Sequence, residues 1–83
     1  MTKPLNSEQV AVLRVVARLE RLGLPSTATE VNYNLHGRGW GTAGNHLGGL
    51  KRRGLAECFG STPSGARTWR ITDAGRTALE GRA

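Results

Sequence analysis

Eighty-three residues, 37% of them hydrophobic, suffice for one small domain spanning 1–83 with a modest core, and leave no room for a second lobe. No apolar run approaches the roughly 20 residues that cross a bilayer, the start Met1 to Ser7 lacks a signal-peptide stretch, and one cysteine, Cys58, excludes an internal disulfide. The net charge of +6 is unevenly spread: residues 31–72 hold Arg38, Lys51, Arg52, Arg53, Arg67 and Arg70 against the single acid Glu57, while the flanking segments are almost neutral.

Leu5 to Leu22 reads as an amphipathic helix. Asn6 or Ser7 can cap its first amides, and Glu8 suits the positive end of the helix dipole. Val10, Leu13, Val16 or Ala17, and then Glu20 trace one side and Val12, Val16 and Leu19 a second stripe, leaving Arg14, Arg18 and Arg21 towards solvent. Gly23 offers a left-handed C-terminal cap and Pro25 forbids continuation.

Ser26 and Thr27 open a short second helix near 27–35. Thr27 and Glu30 have capping-box spacing, and Ala28, Val31 and Leu35 form its apolar edge. His36-Gly37-Arg38-Gly39 then breaks the helix, because two glycines in four residues favour a turn.

A third helix is expected from about Thr42 to Arg53. At about 100° per residue, Ala43, Leu47 and Leu50 share one edge. The opposite face holds Asn45, Gly48, Gly49 and Arg52, with Thr42 at its margin. Gly44, Gly48 and Gly49 together cost such a helix on the order of 2–3 kcal/mol relative to alanine. Either the face must stay smooth for close approach, or the helix is weak or packs closely on a neighbour.

Gly54 stops the third helix and Leu55 begins an extended run. Thr62-Pro63-Ser64-Gly65 is turn chemistry between two short strands. In the second strand Trp69 and Ile71 alternate with Thr68, Arg70 and Thr72, so the core face carries the first pair and the polar face the rest. Thr72 caps a last helix, Asp73 to about Gly81, that docks through Ala74, Ala78 and Leu79. The fold class expected is mainly α with a small β-hairpin: a three-helix core, a two-stranded wing and a short closing helix.

Two motifs carry a resemblance. Ala43-x-x-x-Leu47-x-x-Leu50-x-x-x-Gly54-Leu55-x-Glu57 places three core contacts on a helix, then a glycine stop and a strand. Trp69-Arg70-Ile71-Thr72-Asp73-Ala74-Gly75-Arg76 runs a strand directly into a helix. Together they resemble the winged helix-turn-helix of the multiple-antibiotic-resistance (MarR) and phenolic-acid-repressor (PadR) transcription regulators, over roughly Ser7 to Leu79. The resemblance implies sequence-specific binding of double-stranded DNA, with the helix near 42–53 in the major groove and the wing near 60–67 over the backbone or minor groove.

The candidate DNA contacts are Thr42, Asn45, His46, Gly49, Arg52, Arg53, Arg67 and Arg38. An Asn45 amide can pair with both adenine N6 and N7, although a solvated helix asparagine is the plain alternative. Arg52 and Arg53 could hold phosphates or simply stabilise the helix C-terminus. Arg67 stands at the wing, where a basic side chain can enter a narrow minor groove. Thr42 and His46 flank the reading face, and His46 could equally be a half-buried helix residue. Trp40 is expected to be a packing anchor rather than a stacking platform, and Trp69 to be core, beside Leu47 and Leu50.

Other chemistry is discounted. Gly39-x-Gly41-x-x-Gly44 matches the dinucleotide fingerprint but lacks the strand before it and the βαβ unit around it. His36, His46 and Cys58 do not have zinc-finger spacing, and no catalytic constellation assembles. No cofactor, metal or enzymatic activity is expected. The reading is a small cytoplasmic DNA-binding regulator or architectural factor of a bacterium or its phage, monomeric or weakly homodimeric through its first or last helix. The alternative is an interaction module of the same fold whose basic face binds an acidic protein; the fold alone does not separate them.

Overall fold

The computed structural model describes residues 4–81. Three helices come first, α1 (Ser7–Arg21), α2 (Ala28–His36) and α3 (Ala43–Arg52), followed by strands β1 (Ala56–Ser61) and β2 (Arg67–Ile71) and a closing helix α4 (Asp73–Glu80). This is the expected order, with boundaries shifted by a residue or two.

Each helix end has a local chemical cause. Asn6 begins α1: its Oδ1 accepts the Gln9 N–H at 2.8 Å while Gln9 Oε1 accepts the Asn6 N–H at 3.1 Å, a reciprocal capping box. Gly23, at φ +72°, ends it, with the Gly23 N–H on the Glu20 carbonyl and the Leu24 N–H on that of Leu19. Thr27 caps α2 by accepting the Glu30 N–H at 3.1 Å. The box expected there is half made, since no bond from the Glu30 side chain back to Thr27 accompanies it. Gly54 closes α3 in the same left-handed manner as Gly23 closes α1.

The helix stripes meet in one cluster. Val12, Leu13, Val16, Val31, Leu47 and Leu50 are essentially removed from solvent, with Ala43, Leu55, Ala56, Trp69 and Ile71 around them. The edge expected on α3 is therefore its buried edge. Burying such side chains supplies on the order of 1.5–3 kcal/mol each and is the main term holding the helices together. Trp69 joins Leu47 and Leu50 in this cluster.

β1 and β2 pair antiparallel, Ala56 opposite Ile71 through Ser61 opposite Arg67. The register shifts between Cys58 and Gly60, which leaves Phe59 as an extra residue in β1. The alternation expected for β2 is corrected: Thr68 is buried along with Trp69 and Ile71. Thr68 lies against Gly60, where a Cβ would sit 3.3 Å from its Oγ1, and the next amide, of Trp69, donates to the Ser26 carbonyl at 2.9 Å. The wing is thus tied to the start of α2 as well as to itself.

α4 also differs from expectation. Ala78 and Leu79 pack against the core, but Ala74 is exposed and Gly75 is the buried residue. The backbones approach too closely there for any side chain, because a Cβ on Gly75 would overlap the Leu55 carbonyl.

Candidate nucleic-acid interface

α3 presents two unlike faces. Ala43, Leu47 and Leu50 are buried, whereas Thr42, Asn45, Lys51 and Arg52 are exposed and Gly48 and Gly49 are partly covered. Asn45, Gly48, Gly49 and Arg52 share the outward side, as the helical wheel places them. The nearest atoms to a Cβ built on Gly48 or Gly49 belong to the Arg52 guanidinium, at 4.0 and 3.9 Å. No neighbouring element presses on either glycine, so internal close packing does not explain them. The Arg52 side chain lies over them from outside.

The start of α3 is held from another helix. Thr42 makes no side-chain capping bond. Instead the buried Asn32 of α2 accepts the Ala43 N–H on its Oδ1 at 3.2 Å. Gly41 permits this approach, since a Cβ there would stand 2.7 Å from the same oxygen. Asn32 carried no signal in the sequence: a polar residue within a helix, eleven positions from its partner, looks solvated.

Of the eight candidates, Thr42, Asn45, Gly49 and Arg52 come together on or beside the outward face of α3. His46 turns aside. It is half-buried, with Nε2 2.7 Å from Glu8 Oε2 of α1, beside His36 and Thr42 in a small cleft. Arg53 is half-buried at the helix end. Arg67 is exposed where β2 begins, opposite Ser61, next to a turn bound by Thr62: its N–H donates to the Ala66 carbonyl at 2.8 Å and its carbonyl accepts the Gly65 N–H at 2.9 Å.

Charge pairing sharpens the picture. Glu57 is bonded across the hairpin to Arg70, which also lies over the Phe59 ring, and Glu20 pairs with Arg76 at 3.0 Å. Arg38, Lys51, Arg52 and Arg67 have exposed side chains and no acidic partner among the described residues. α3 itself contains no acid. The field around its outer face is therefore positive, the arrangement that attracts a polyanion.

Trp40 overturns its sequence expectation. It is 70% exposed, not a packing anchor, and the Arg38 guanidinium sits 4.1 Å from its ring centroid. The glycines on either side occupy the space against α2, Gly39 against Tyr33 and Gly41 against Asn32, so the indole is turned outward. The same contacts give Gly39 and Gly41 of the Gly39-x-Gly41-x-x-Gly44 run a packing reason unrelated to nucleotides.

Three solved structures are similar. The S. aureus protein MepR, from a complex with DNA, aligns with TM-score 0.74 and 22% identity over 93% of this chain and 53% of its own. The PcaV transcriptional regulator from Streptomyces coelicolor, solved with its natural ligand, aligns with TM-score 0.71 and 25% identity over 95% of this chain and 53% of its own. The chain has a MarR-like winged-helix fold. TA0346 from Thermoplasma acidophilum aligns with TM-score 0.62 and 20% identity, covering 92% of this chain and 76% of that one. This winged helix spans about half the length of the first two proteins. No family model and no curated protein matches it by sequence.

Proposed function

We propose that this winged helix binds double-stranded DNA sequence-specifically, as a transcription regulator or an architectural accessory factor. It acts by occupying a site, so no residue needs a catalytic role. In this reading α3 enters the major groove and the hairpin turn 62–66, with Arg67, lies over the adjacent backbone or minor groove. Asn45 reads a base edge. Arg52, Arg67 and Arg38 hold phosphates, releasing counterions and supplying most of the affinity.

One observation carries the reading. Gly48 and Gly49 weaken α3 by about 1 kcal/mol each, yet nothing among the described residues needs their small size. An outside surface that must approach the helix backbone closely gives that cost a reason. The absence of acids on α3 and the exposed Arg38, Lys51, Arg52 and Arg67, which have no acidic partner among the described residues, point to a polyanionic surface. The fold shared with MepR, whose structure was solved with DNA, adds support.

Selection of bound sequences from a random duplex library at near-physiological salt tests this. A defined motif is the expected outcome. Salt-labile, sequence-blind retention alone would remove the sequence-specific reading and leave a basic face suited to an acidic protein.

A further inference from the structure

Among the described residues Trp40 is the most exposed of the large hydrophobic side chains, and glycines hold the backbone on both sides of it. Gly37 turns the chain at φ +72°. A Cβ on Gly39 would meet the Tyr33 ring at 2.9 Å and Thr29 Cγ2 at 3.1 Å, and one on Gly41 would meet Asn32 and His36 at 2.7 and 3.0 Å. Backbone on both sides of Trp40 is therefore pressed onto α2. The indole is exposed, and it stands two residues before Thr42, the cap residue of α3.

Arg38 covers one indole face and has no acidic partner among the described residues. Stacking on a ring fixes the guanidinium plane while leaving its edge donors free, which is the geometry that meets a phosphate with two parallel N–H bonds. The rest of the indole remains open to an apolar partner. Resting on the DNA reading above, we infer that Arg38 and Trp40 form a second, sequence-independent contact with the duplex backbone: Arg38 bonds a phosphate and Trp40 packs on the neighbouring deoxyribose. With α3 in the major groove, the turn at its N-terminal end faces the strand bordering that groove. The bases there are stacked inside the duplex, so a projecting ring meets sugar and phosphate first.

The chain contains two tryptophans, and Trp69 is only 7% exposed. Acrylamide quenching of intrinsic fluorescence therefore reports chiefly on Trp40. The experiment titrates the full chain with a random-sequence duplex while anisotropy of a labelled copy follows binding independently. Saturation should protect the exposed tryptophan from acrylamide, and Trp40→Phe should abolish the change. Arg38→Ala and Trp40→Ala should each weaken random and preferred duplexes alike, by roughly three- to tenfold at moderate salt. Arg38→Ala alone should lower the log–log salt slope, by about one unit. Both variants should melt like the wild type, because neither side chain enters the core. A duplex that binds while Trp40 stays fully quenchable, with Trp40→Ala binding as wild type, overturns this inference and leaves the DNA reading intact. Stronger protection by a single-stranded oligonucleotide overturns the backbone assignment in favour of base stacking. Failure of any duplex to bind overturns both.

Discussion

Gly75, in the first turn of α4, lies directly against the backbone carbonyl of Leu55, the residue that leads from α3 into β1. A single added methyl would collide with that oxygen and come within 2.7 Å of Ile71 Cγ1. Thr72 works at the same junction. Its N–H donates to the Leu55 carbonyl at 3.1 Å, its hydroxyl donates to the Gly54 carbonyl at 2.6 Å, and its Oγ1 accepts the Gly75 N–H at 3.0 Å. The Thr-x-x-Gly-Arg start of α4 is therefore one clamp: threonine ties the helix start to the end of α3, glycine allows the approach, and Arg76 reaches Glu20 of α1.

Gly75→Ala should destabilise the fold by about 1–3 kcal/mol or more, although alanine is the better helix former, because the obstacle is backbone and cannot rotate away. Denaturant unfolding of the variant beside wild type measures it. Unchanged stability would mean that α4 does not dock this closely.

Gly48→Ala and Gly49→Ala should do the reverse. Each new Cβ meets only the Arg52 guanidinium at ordinary contact distance, so each variant should gain about 0.5–1 kcal/mol of stability from helix propensity. On the DNA reading the same variants should bind duplex more weakly, since the methyl stands between α3 and the groove. Greater stability with unaltered affinity would remove the close-approach argument.

Asn45→Ala separates reading from holding. It should lose about 1–3 kcal/mol on the preferred sequence and little on random duplex. Arg52→Ala and Arg67→Ala should weaken both and flatten the salt dependence by about one unit of log–log slope. Should all three variants retain wild-type binding across a salt series, after melts show them folded, the face does not contact DNA.

Asn32→Ala leaves the buried Ala43 amide without its acceptor and should cost about 1–3 kcal/mol. The damage should concentrate at the first turn of α3, because Thr42 makes no side-chain capping bond. Amide hydrogen exchange there should rise more than in α1. A uniform rise would mean that Asn32 contributes general packing rather than anchoring α3.

What the chain order determines by itself is local. Helical period, the buried pair Trp69 and Ile71 of β2, the caps Thr27 and Thr72, the choice of Asn6 or Ser7 at the start of α1, and the stops Gly23 and Gly54 are encoded within a few residues of where they act, so the sequence alone makes them legible. The buried edge Ala43, Leu47 and Leu50 follows from period alone, and the outward set Asn45, Gly48, Gly49 and Arg52 is its complement. The tertiary structure decides whatever depends on residues distant in sequence. His46 turns to Glu8, 38 positions away, and Asn32 caps a helix to which it does not belong. Thr68 is buried beside Gly60 of the opposite strand, although alternation puts it on the polar face. Trp40 faces outward because its glycine neighbours occupy the contact surface on α2. Which of Ala74 and Gly75 docks depends on the distance between two backbones. No periodicity encodes that distance; it arises once the core has set how the elements pack.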